Sequence, residues 1–225
     1  LVIAIDGPAG SGKSSVSREV ASRLGLAYLD TGAMYRAATW AVLDRGIDPD
    51  DTDAVAVLVT GDAAPSIESG TDPAEPLIRV DGVDVAEAIR SELVTSAVSA
   101  VSAVGAVRQG MVDLQREHAL ASSGIVVEGR DIGSVVLPQA DIKVFLTADP
   151  GVRAQRRAAE VNVDDAGSVS ATEDALRARD AKDTTRAISP LAPADGCIEI
   201  DTTNLTFDDV VDAVISLVRD APEGR

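Results

Sequence analysis

The sequence predicts an α/β fold in which helices flank a five-stranded parallel β-sheet. Five short apolar or branched segments can each form a strand, and segments with helical periodicity separate them. Strands and helices that alternate along a chain form parallel sheets with right-handed crossovers. The predicted strands are residues 1–5, 27–30, 125–127, 142–146 and 197–200. The predicted helices include residues 31–45, 91–122, 150–161, 171–182 and 206–219.

The segment between the second and third strands interrupts this alternation. Between residues 62 and 90, prolines and glycines separate two short strand patterns, and Asp81-Gly82 is a strong hairpin signal. We therefore predict a small antiparallel β insertion at about residues 62–98. The remaining residues, 1–61 and 99–225, form the core of a single domain, because 225 residues suffice for one α/β domain with a modest insertion.

Composition and charge narrow the class of function. The net charge of −17 and an aromatic content of 2% argue against nucleic-acid binding, which needs a basic surface and stacking side chains. No apolar stretch approaches the roughly 18 residues that a membrane-spanning helix needs. The single cysteine, Cys197, excludes a disulfide framework and fits a reducing cytoplasm. We expect a cytoplasmic monomer that binds neither nucleic acid nor membranes.

A phosphate-binding motif follows the first predicted strand. Residues 7–14, Gly-Pro-Ala-Gly-Ser-Gly-Lys-Ser, match G-x-x-x-x-G-K-[ST], and an apolar stripe at helical spacing comes next. Glycines let the backbone curl so that its N–H groups converge on phosphate oxygens at the positive end of a helix. In this motif the lysine (Lys13) reaches the β- and γ-phosphates, and the serine (Ser14) holds Mg²⁺. The motif predicts a bound nucleoside triphosphate and leaves the phosphoryl acceptor open.

Basic residues cluster in the C-terminal third of this acidic chain. Guanidinium groups match the geometry of phosphate oxygens, so the cluster predicts an anionic small ligand. An acceptor that is itself an ionised phosphate needs such cations around it and little proton abstraction. The cluster consists of Arg153, Arg156, Arg157, Arg177, Arg179, Lys182 and Arg186.

Four separated segments resemble bacterial cytidylate (CMP) kinases. Three of them are residues 5–8 (Ile-Asp-Gly-Pro), 29–36 (Leu-Asp-Thr-Gly-Ala-Met-Tyr-Arg) and 128–133 (Glu-Gly-Arg-Asp-Ile-Gly). Residues 179–186 are similar to the arginine-aspartate segment that follows the lid in this family. The resemblance runs from residue 1 to about residue 220 in consistent order. It implies a P-loop kinase fold in which the insertion binds the nucleoside monophosphate. It also implies ATP-dependent phosphorylation of CMP and dCMP.

The resemblance further implies a role for individual residues. The cradle for the ATP phosphates would consist of Gly7, Pro8, Ala9, Gly10, Ser11, Gly12, Lys13, Ser14 and Ser15. The residues implied to bind CMP are Thr31, Arg36, Ser99, Arg108, Arg130, Asp131, Arg179, Asp183 and Arg186. The residues implied to act in catalysis are Lys13, Arg130, Arg153, Arg157 and Arg186.

Recognition of cytosine would rest on hydrogen-bond polarity. Asp131 would accept a hydrogen bond from the 4-amino group, while Arg108 would donate to O2 and N3 of the base, with Ser99 as a further contact. In UMP the same carboxylate would face a repelling carbonyl group, which is how a site rejects a near-isostere. Arg179 and Asp183 resemble the ribose contacts, although an ordinary ion pair on a helix surface has the same spacing.

Two assignments stay open at the level of sequence. Arg153, Arg156 and Arg157 precede a short lid at about residues 153–170 that would close over ATP, and spacing alone does not tell which of them points inward. Glu128 occupies a position where many relatives have Asp. Because its side chain is one methylene longer, its link to Mg²⁺ would run through water.

Two other functions also stay open. A different small-molecule kinase, of the UMP, AMP or shikimate type, would use the same scaffold, although AMP kinases usually have a longer lid than the connection at residues 161–170 allows. A nucleotide-dependent switch would need a guanine-reading Asn-Lys-x-Asp, and the sequence does not contain that tetrapeptide. We therefore expect a CMP kinase that uses ATP with Mg²⁺.

Overall fold

The computed structural model of the protein describes residues 1–160, 166–185 and 191–220. The chain divides into a first unit, formed by Leu1–Leu26 with the chain from Gly124 onward, and a second unit, Ala27–Ser123. In chain order, its helices and strands are β1 (Val2–Asp6), α1 (Lys13–Leu24), β2 (Ala27–Asp30), α2 (Thr31–Asp44), α3 (Thr52–Thr60), β3 (Ile67–Ser69), β4 (Ile78–Val80), β5 (Val83–Asp84), α4 (Glu92–Val101), α5 (Gly105–Ala121), β6 (Ile125–Gly129), β7 (Ile142–Thr147), α6 (Pro150–Glu160), α7 (Ala166–Thr184), β8 (Ile198–Asp201) and α8 (Phe207–Asp220).

The main sheet has five strands in the order β2-β6-β1-β7-β8, which confirms the predicted fold class. Within the first unit, β1 lies between two parallel neighbours, so that Ile3 pairs with Val126 of β6 and with Ile142 of β7. Strand β8 continues the sheet beside β7, with Ile198 opposite Val144. Strands β1 and β6 are buried almost throughout, as continuous apolar strands of a parallel sheet must be. The carboxyl ends of β6, β1 and β7 therefore lie side by side.

The second unit contains the predicted antiparallel insertion. Strands β3, β4 and β5 form a three-stranded sheet in which Ile67 pairs with Val80. The turn between β4 and β5 is the predicted Asp81-Gly82, with φ angles of 51° and 78°. Two-residue hairpin turns of this kind need positive φ, which Asp and Gly tolerate. The insertion is thus confirmed as a small antiparallel sheet.

The helices of the second unit pack around an apolar core. This core positions α2, α4 and α5, the helices that carry the predicted Arg36, Ser99 and Arg108. Its buried side chains interlock at helical spacing, as amphipathic helices require. They are Ala38, Val42, Val55, Leu58, Val101, Val104 and Val107.

The helices differ from the prediction in three places. The segment predicted as one helix, residues 91–122, forms α4 and α5, which are separated at Val104, where the backbone is extended (φ −68°, ψ 123°). Helix α3 was not predicted, and it begins after Asp51, whose side chain accepts from the N–H group of Ala54. Helix α7 already begins at Ala166, within the predicted connection. Residues 161–165 lie outside the described residues. None of the described helices is both long and apolar enough to cross a membrane.

Candidate active site

The loop between β1 and α1, residues 7–12, owes its shape to glycine. Gly7 has a φ of 147°, and a Cβ atom at this position would lie 2.1 Å from the carbonyl oxygen of Leu146 in β7. Gly12 has a φ of 88° and immediately precedes α1, so it offers no side chain to accept from the first N–H groups of the helix. The partial positive charge of this helix N-terminus gives the loop the form of an anion site.

Lys13, the first residue of α1, turns back over the loop. Its Nζ donates to the carbonyl oxygen of Pro8 at 2.9 Å. Desolvation and the nearby Arg130 guanidinium lower the pKa of Lys13 to about 8. Two cations that repel each other in this way would both be stabilised by an anion placed between them.

Ser14 contacts the end of β6. Its Oγ donates to Oε2 of Glu128 at 3.0 Å, and Glu128 is buried beside Ile5 of β1. Among the described residues, no group of three or more His, Cys, Asp or Glu side chains could hold a metal ion. A cation at this position would therefore depend on a hydroxyl, one carboxylate and the oxygens of a ligand. Mg²⁺ binds in this manner when nucleotide phosphates supply the remaining oxygens.

Two of the predicted arginines reach the backbone of the loop. Arg130, which follows β6, donates to the carbonyl oxygen of Gly7 at 3.2 Å. Arg153, on α6, donates to the carbonyl oxygen of Ala9 at 3.1 Å. Both side chains are largely buried, with 16% and 8% of their surface exposed. The structure thus gathers these arginines and Lys13 around one loop, and it identifies Arg153 as an inward-pointing arginine of α6.

Asp180 on α7 joins the two arginines and was not predicted as a site residue. One of its carboxylate oxygens accepts from Arg130 at 3.3 Å and from the N–H group of Ala9 at 3.4 Å, while the other is bound by Arg153. Asp183, one helical turn later, is buried and pairs with Arg130 at 3.3 Å. A carboxylate is therefore held by a loop amide and two guanidinium groups, a donor set that also suits phosphate oxygens.

A cavity of about 210 Å³ opens beside the loop and includes Arg156. Arg156 donates to both Oγ1 and the carbonyl oxygen of Thr202, each at 2.8 Å. These two bonds turn Arg156 toward the end of β8 and away from the loop carbonyl that Arg153 reaches. The cavity is lined by Gly10, Ser11, Gly12, Ser15, Val16, Arg156, Thr202, Leu205, Thr206, Phe207 and Val210.

In the second unit, α2 and α5 position two buried or half-buried arginines. Arg36 donates to the carbonyl oxygen of Ile89 at 3.0 Å and to Oγ1 of Thr95 at 2.9 Å. Arg108 is 3% exposed, and its guanidinium lies 5.4 Å from the ring centre of Tyr35, a cation–π distance. Arg108 also donates to the carbonyl oxygen of Ser102 at 3.4 Å, so an aromatic ring and a carbonyl group fix the direction of its guanidinium.

The remaining predicted residues of the second unit, Thr31 and Ser99, lie on α2 and α4. Thr31 is buried at the start of α2, where the Asp30 side chain caps the helix by accepting from the N–H group of Ala33 at 2.9 Å. Ser99 is half-buried on α4, and its carbonyl oxygen accepts from the Ser102 hydroxyl at 3.3 Å.

Asp131 is 4% exposed and directly precedes two amides that bind Asp6. The N–H groups of Ile132 and Gly133 donate to the two carboxylate oxygens of Asp6, at 2.9 Å and 2.8 Å. Burial raises the pKa of Asp6 to about 6, although the two hydrogen bonds oppose this shift. Sequence reasoning missed Asp6 as a site residue, because a contact across more than a hundred residues leaves no local pattern.

The other predicted residues of the first unit lie on α6 and α7 or outside the described residues. Arg157 is half-buried on α6, and Arg179 is half-buried on α7. Arg186 and residues 161–165 of the predicted lid lie outside the described residues.

The chain is similar in sequence to the proteins of one family. The chain matches the family model described as cytidylate kinase over residues 3–220. It is 53% identical to a cytidylate kinase of Streptomyces avermitilis, over 98% of this chain and 93% of that protein. A cytidylate kinase of Rhodococcus opacus is also 53% identical, over 97% of this chain and 94% of its own length.

A solved structure shares the fold at much lower sequence similarity. A gluconokinase from Sinorhizobium meliloti superposes with a TM-score of 0.51 at 15% identity, covering 98% of this chain and 93% of that one. Similarity at this level supports the P-loop kinase fold alone, because one fold serves many functions.

Proposed function

Because the chain belongs to the cytidylate kinase family, we propose that it transfers the γ-phosphoryl group of ATP to CMP and dCMP, giving CDP and dCDP. The observation that carries this proposal is the meeting of Lys13, Arg130 and Arg153 on one glycine-shaped loop. Transfer of a phosphoryl group between two anionic substrates requires cations around the phosphates more than it requires a base.

The donor nucleotide occupies the loop. Backbone N–H groups of residues 7–15 other than Pro8 hold the ATP phosphates at the start of α1, and Lys13 reaches the β- and γ-phosphates. Ser14 would hold Mg²⁺ directly and Glu128 through water, and the bound ion would neutralise charge on the phosphate oxygens. The cavity beside Arg156 adjoins the loop and is suited to the base and ribose of the same nucleotide.

The transfer is a displacement at phosphorus. A phosphate oxygen of CMP forms a bond to the γ-phosphorus while the bond from that phosphorus to the bridging oxygen of ADP breaks, and the bridging oxygen keeps the electron pair. The acceptor oxygen is already ionised, so the reaction needs positioning and charge neutralisation. We assign the neutralising cations to Lys13, Arg130, Arg153, Arg157 and Arg186.

We assign acceptor binding to residues of each unit. In the first unit, Arg130 and Arg186 bind the CMP phosphate, Asp131 accepts from the 4-amino group of cytosine, and Arg179 and Asp183 contact the ribose. In the second unit, the assigned residues are Thr31, Arg36, Ser99 and Arg108. The support for Arg108 is its burial over the Tyr35 ring, which gives its guanidinium the fixed position that base recognition needs.

A substrate panel tests the proposal. The enzyme is incubated with ATP and Mg²⁺ and with CMP, dCMP, UMP, AMP or shikimate in turn, and the ADP formed is measured. We expect CMP and dCMP to be phosphorylated with far higher kcat/KM than UMP, and AMP and shikimate to give only background. Faster turnover of UMP, AMP or shikimate would identify a different kinase of this scaffold, and ADP formation that is independent of any acceptor would indicate a nucleotide hydrolase.

We further propose that the enzyme is a cytoplasmic monomer. Its single cysteine, Cys197, and its substrates fit a reducing, ATP-containing compartment. The relatives named as cytidylate kinases cover nearly the full chain, so one chain carries the whole set of assigned residues. Light scattering after size-exclusion chromatography should give the mass of one chain, and a mass of two or more chains would contradict the monomer.

A further inference from the structure

Asp6 is a buried carboxylate at the carboxyl end of the central strand. It ends β1, where its backbone pairs with Gly129 of β6 and Phe145 of β7. Only 4% of the residue is exposed. Both of its carboxylate oxygens are engaged: one accepts from the N–H group of Ile132 and the other from the N–H group of Gly133.

These two amides belong to the segment that carries the acceptor-binding side chains. Ile132 and Gly133 directly follow Arg130 and Asp131, and they begin a short helical turn at residues 132–136. Two consecutive N–H groups that converge on one carboxylate fix the direction of the backbone at that point. Arg130 and Asp131 are therefore attached to a backbone that Asp6 holds.

The two hydrogen bonds from Ile132 and Gly133 to Asp6, which we call the clamp, require a carboxylate. Each oxygen faces an N–H donor, so an acceptor is needed on both sides. An asparagine would place its NH₂ group against one of the two donors and would lose that bond. Burial raises the pKa of Asp6 to about 6, so ionising it works against stability.

The clamp also lies next to the loop at residues 7–12, which we assign to ATP. Asp6 directly precedes Gly7, whose carbonyl oxygen accepts from Arg130 at 3.2 Å. Residues 130–133 thus contact β1 and the loop through two separate sets of hydrogen bonds. The first set fixes the backbone through Asp6, and the second fixes the Arg130 side chain.

We propose that Asp6 is a positioning residue for acceptor selection: by holding the N–H groups of Ile132 and Gly133, it places Asp131 where this side chain favours CMP over UMP. The proposal rests on the proposed function, in which Asp131 accepts from the 4-amino group of cytosine. Asp6 itself touches neither nucleotide, and its effect passes through the backbone of residues 130–133.

The test compares kcat/KM for CMP and for UMP in the wild type and in Asp6→Asn. We expect the CMP to UMP ratio to fall about tenfold, since a misplaced acceptor no longer discriminates an amino group from a carbonyl group. KM for ATP should change less than twofold. A purely structural role would lower kcat for both acceptors equally and leave the ratio unchanged, and that result would overturn the proposal.

Asp51→Asn is the matched control. Asp51 also accepts from a backbone N–H group, that of Ala54 at 3.0 Å, but it is exposed at the start of α3. The substitution should leave the CMP to UMP ratio at the wild-type value. A similar fall in this variant would show that the ratio responds to general loosening of the fold, which would also overturn the proposal.

Asp131→Ala separates the base-reading role of Asp131 from the positioning role of Asp6. If Asp131→Ala leaves the ratio unchanged, the base-reading role fails, and the proposal for Asp6 fails with it. If Asp131→Ala lowers the ratio while Asp6→Asn does not, the positioning role alone is refuted. If Asp6 acts through Asp131, the double variant should have the same ratio as Asp131→Ala, and a further fall would contradict that route.

Hydrogen exchange provides a measurement that needs no variant. In the wild-type protein, the amides of Ile132 and Gly133 should exchange as slowly as the amides of β1, because both donate to a buried acceptor. Exchange at the rate of an exposed turn would show that the clamp is absent. The proposal is therefore open to refutation even if Asp6→Asn yields no folded protein.

Discussion

At the scale of single residues, two titratable side chains beside the loop at residues 7–12 have shifted pKa values. Burial raises the pKa of Asp6 to about 6, and desolvation with the nearby Arg130 lowers the pKa of Lys13 to about 8. Both shifts favour the neutral form of the group. The charged forms that the proposed chemistry uses therefore lower the stability of the fold, which is common at active sites.

Asp6 should make the protein less stable as the pH rises through the acid range. Burial raises its pKa from 3.8 in the unfolded chain to about 6, so the folded protein binds this proton more tightly. The stabilisation is fully present below about pH 4 and is lost as the pH rises through 6. The loss should amount to about 3 kcal/mol, at about 1.36 kcal/mol for each unit of pKa shift.

Urea unfolding of the wild type and Asp6→Asn from pH 4 to pH 7 measures this effect. The substitution removes the titratable group, so any pH dependence that the two proteins do not share belongs to Asp6. Relative to the wild type, the free energy of unfolding of the variant should therefore increase by about 2.5 kcal/mol across this range. Parallel pH profiles for the two proteins would show that Asp6 does not titrate as described.

At the scale of elements, the side chain of Asp180 connects α7 to the loop at residues 7–12. Asp180 accepts from the N–H group of Ala9 and binds both Arg130 and Arg153. In the proposed function, these same donors bind phosphate oxygens. The carboxylate and the phosphates therefore compete for one set of donors, and nucleotide binding has to displace Asp180 from the loop.

Asp180→Asn should strengthen ATP binding. Removing the negative charge weakens the hold of Asp180 on the two arginines and leaves the donors to the phosphates, so we expect Kd for ATP to fall by about threefold to tenfold. Calorimetric titration with ATP in the absence of CMP gives this constant. The control is Asp174→Asn, an exposed aspartate on the same helix, which should not change Kd. Weaker binding to Asp180→Asn would show that Asp180 orients the arginines instead of competing for them.

The sequence predicts the elements that depend on local pattern. The buried strands, the glycine loop and the Asp81-Gly82 turn each follow from neighbouring residues, and all three are found. Helix α3 was missed, because it is short and almost wholly apolar, so no amphipathic stripe marks its two buried residues, Val55 and Leu58. The break between α4 and α5 was also missed, since small apolar residues continue the helical pattern through it.

A motif or a resemblance named the candidate site residues, and their roles stay predictions. The structure brings Lys13, Arg130 and Arg153 to one loop. Arg156 turns toward Thr202, and Arg186 lies outside the described residues. Asp6 and Asp180 lie in segments that carry the resemblance, but neither was assigned a role. Their partners are 27 to 171 residues away in the chain, and no local periodicity records such contacts. The pairing of β1 with β6 places Asp6 within hydrogen-bond distance of the N–H group of Ile132. Helix α7 places Asp180 within hydrogen-bond distance of the N–H group of Ala9.

At the scale of the whole molecule, an acidic chain binds anionic substrates. The net charge is −17, yet the described surroundings of the loop contain Lys13, Arg130 and Arg153. Screening confines charge interactions to about 8–10 Å in physiological salt, so the charges beside the loop, including the Asp180 carboxylate, decide the affinity and the distant carboxylates have little effect. The protonation of Lys13 is then part of the charge balance of ATP binding.

ATP binding should take up protons near pH 8. With a pKa of about 8, roughly half of the Lys13 side chains lack a proton at that pH, and nearby phosphates would raise the pKa. With ATP added as its Mg²⁺ complex, which is fully ionised, we therefore expect uptake of about half a proton per ATP at pH 8 and almost none at pH 6. Calorimetry in Tris and in HEPES gives the number, because the two buffers differ in ionisation enthalpy. Lys13→Met should abolish the uptake. The same uptake in that variant would assign the proton to another group, and no uptake by the wild type at pH 8 would mean that Lys13 is fully charged before ATP arrives.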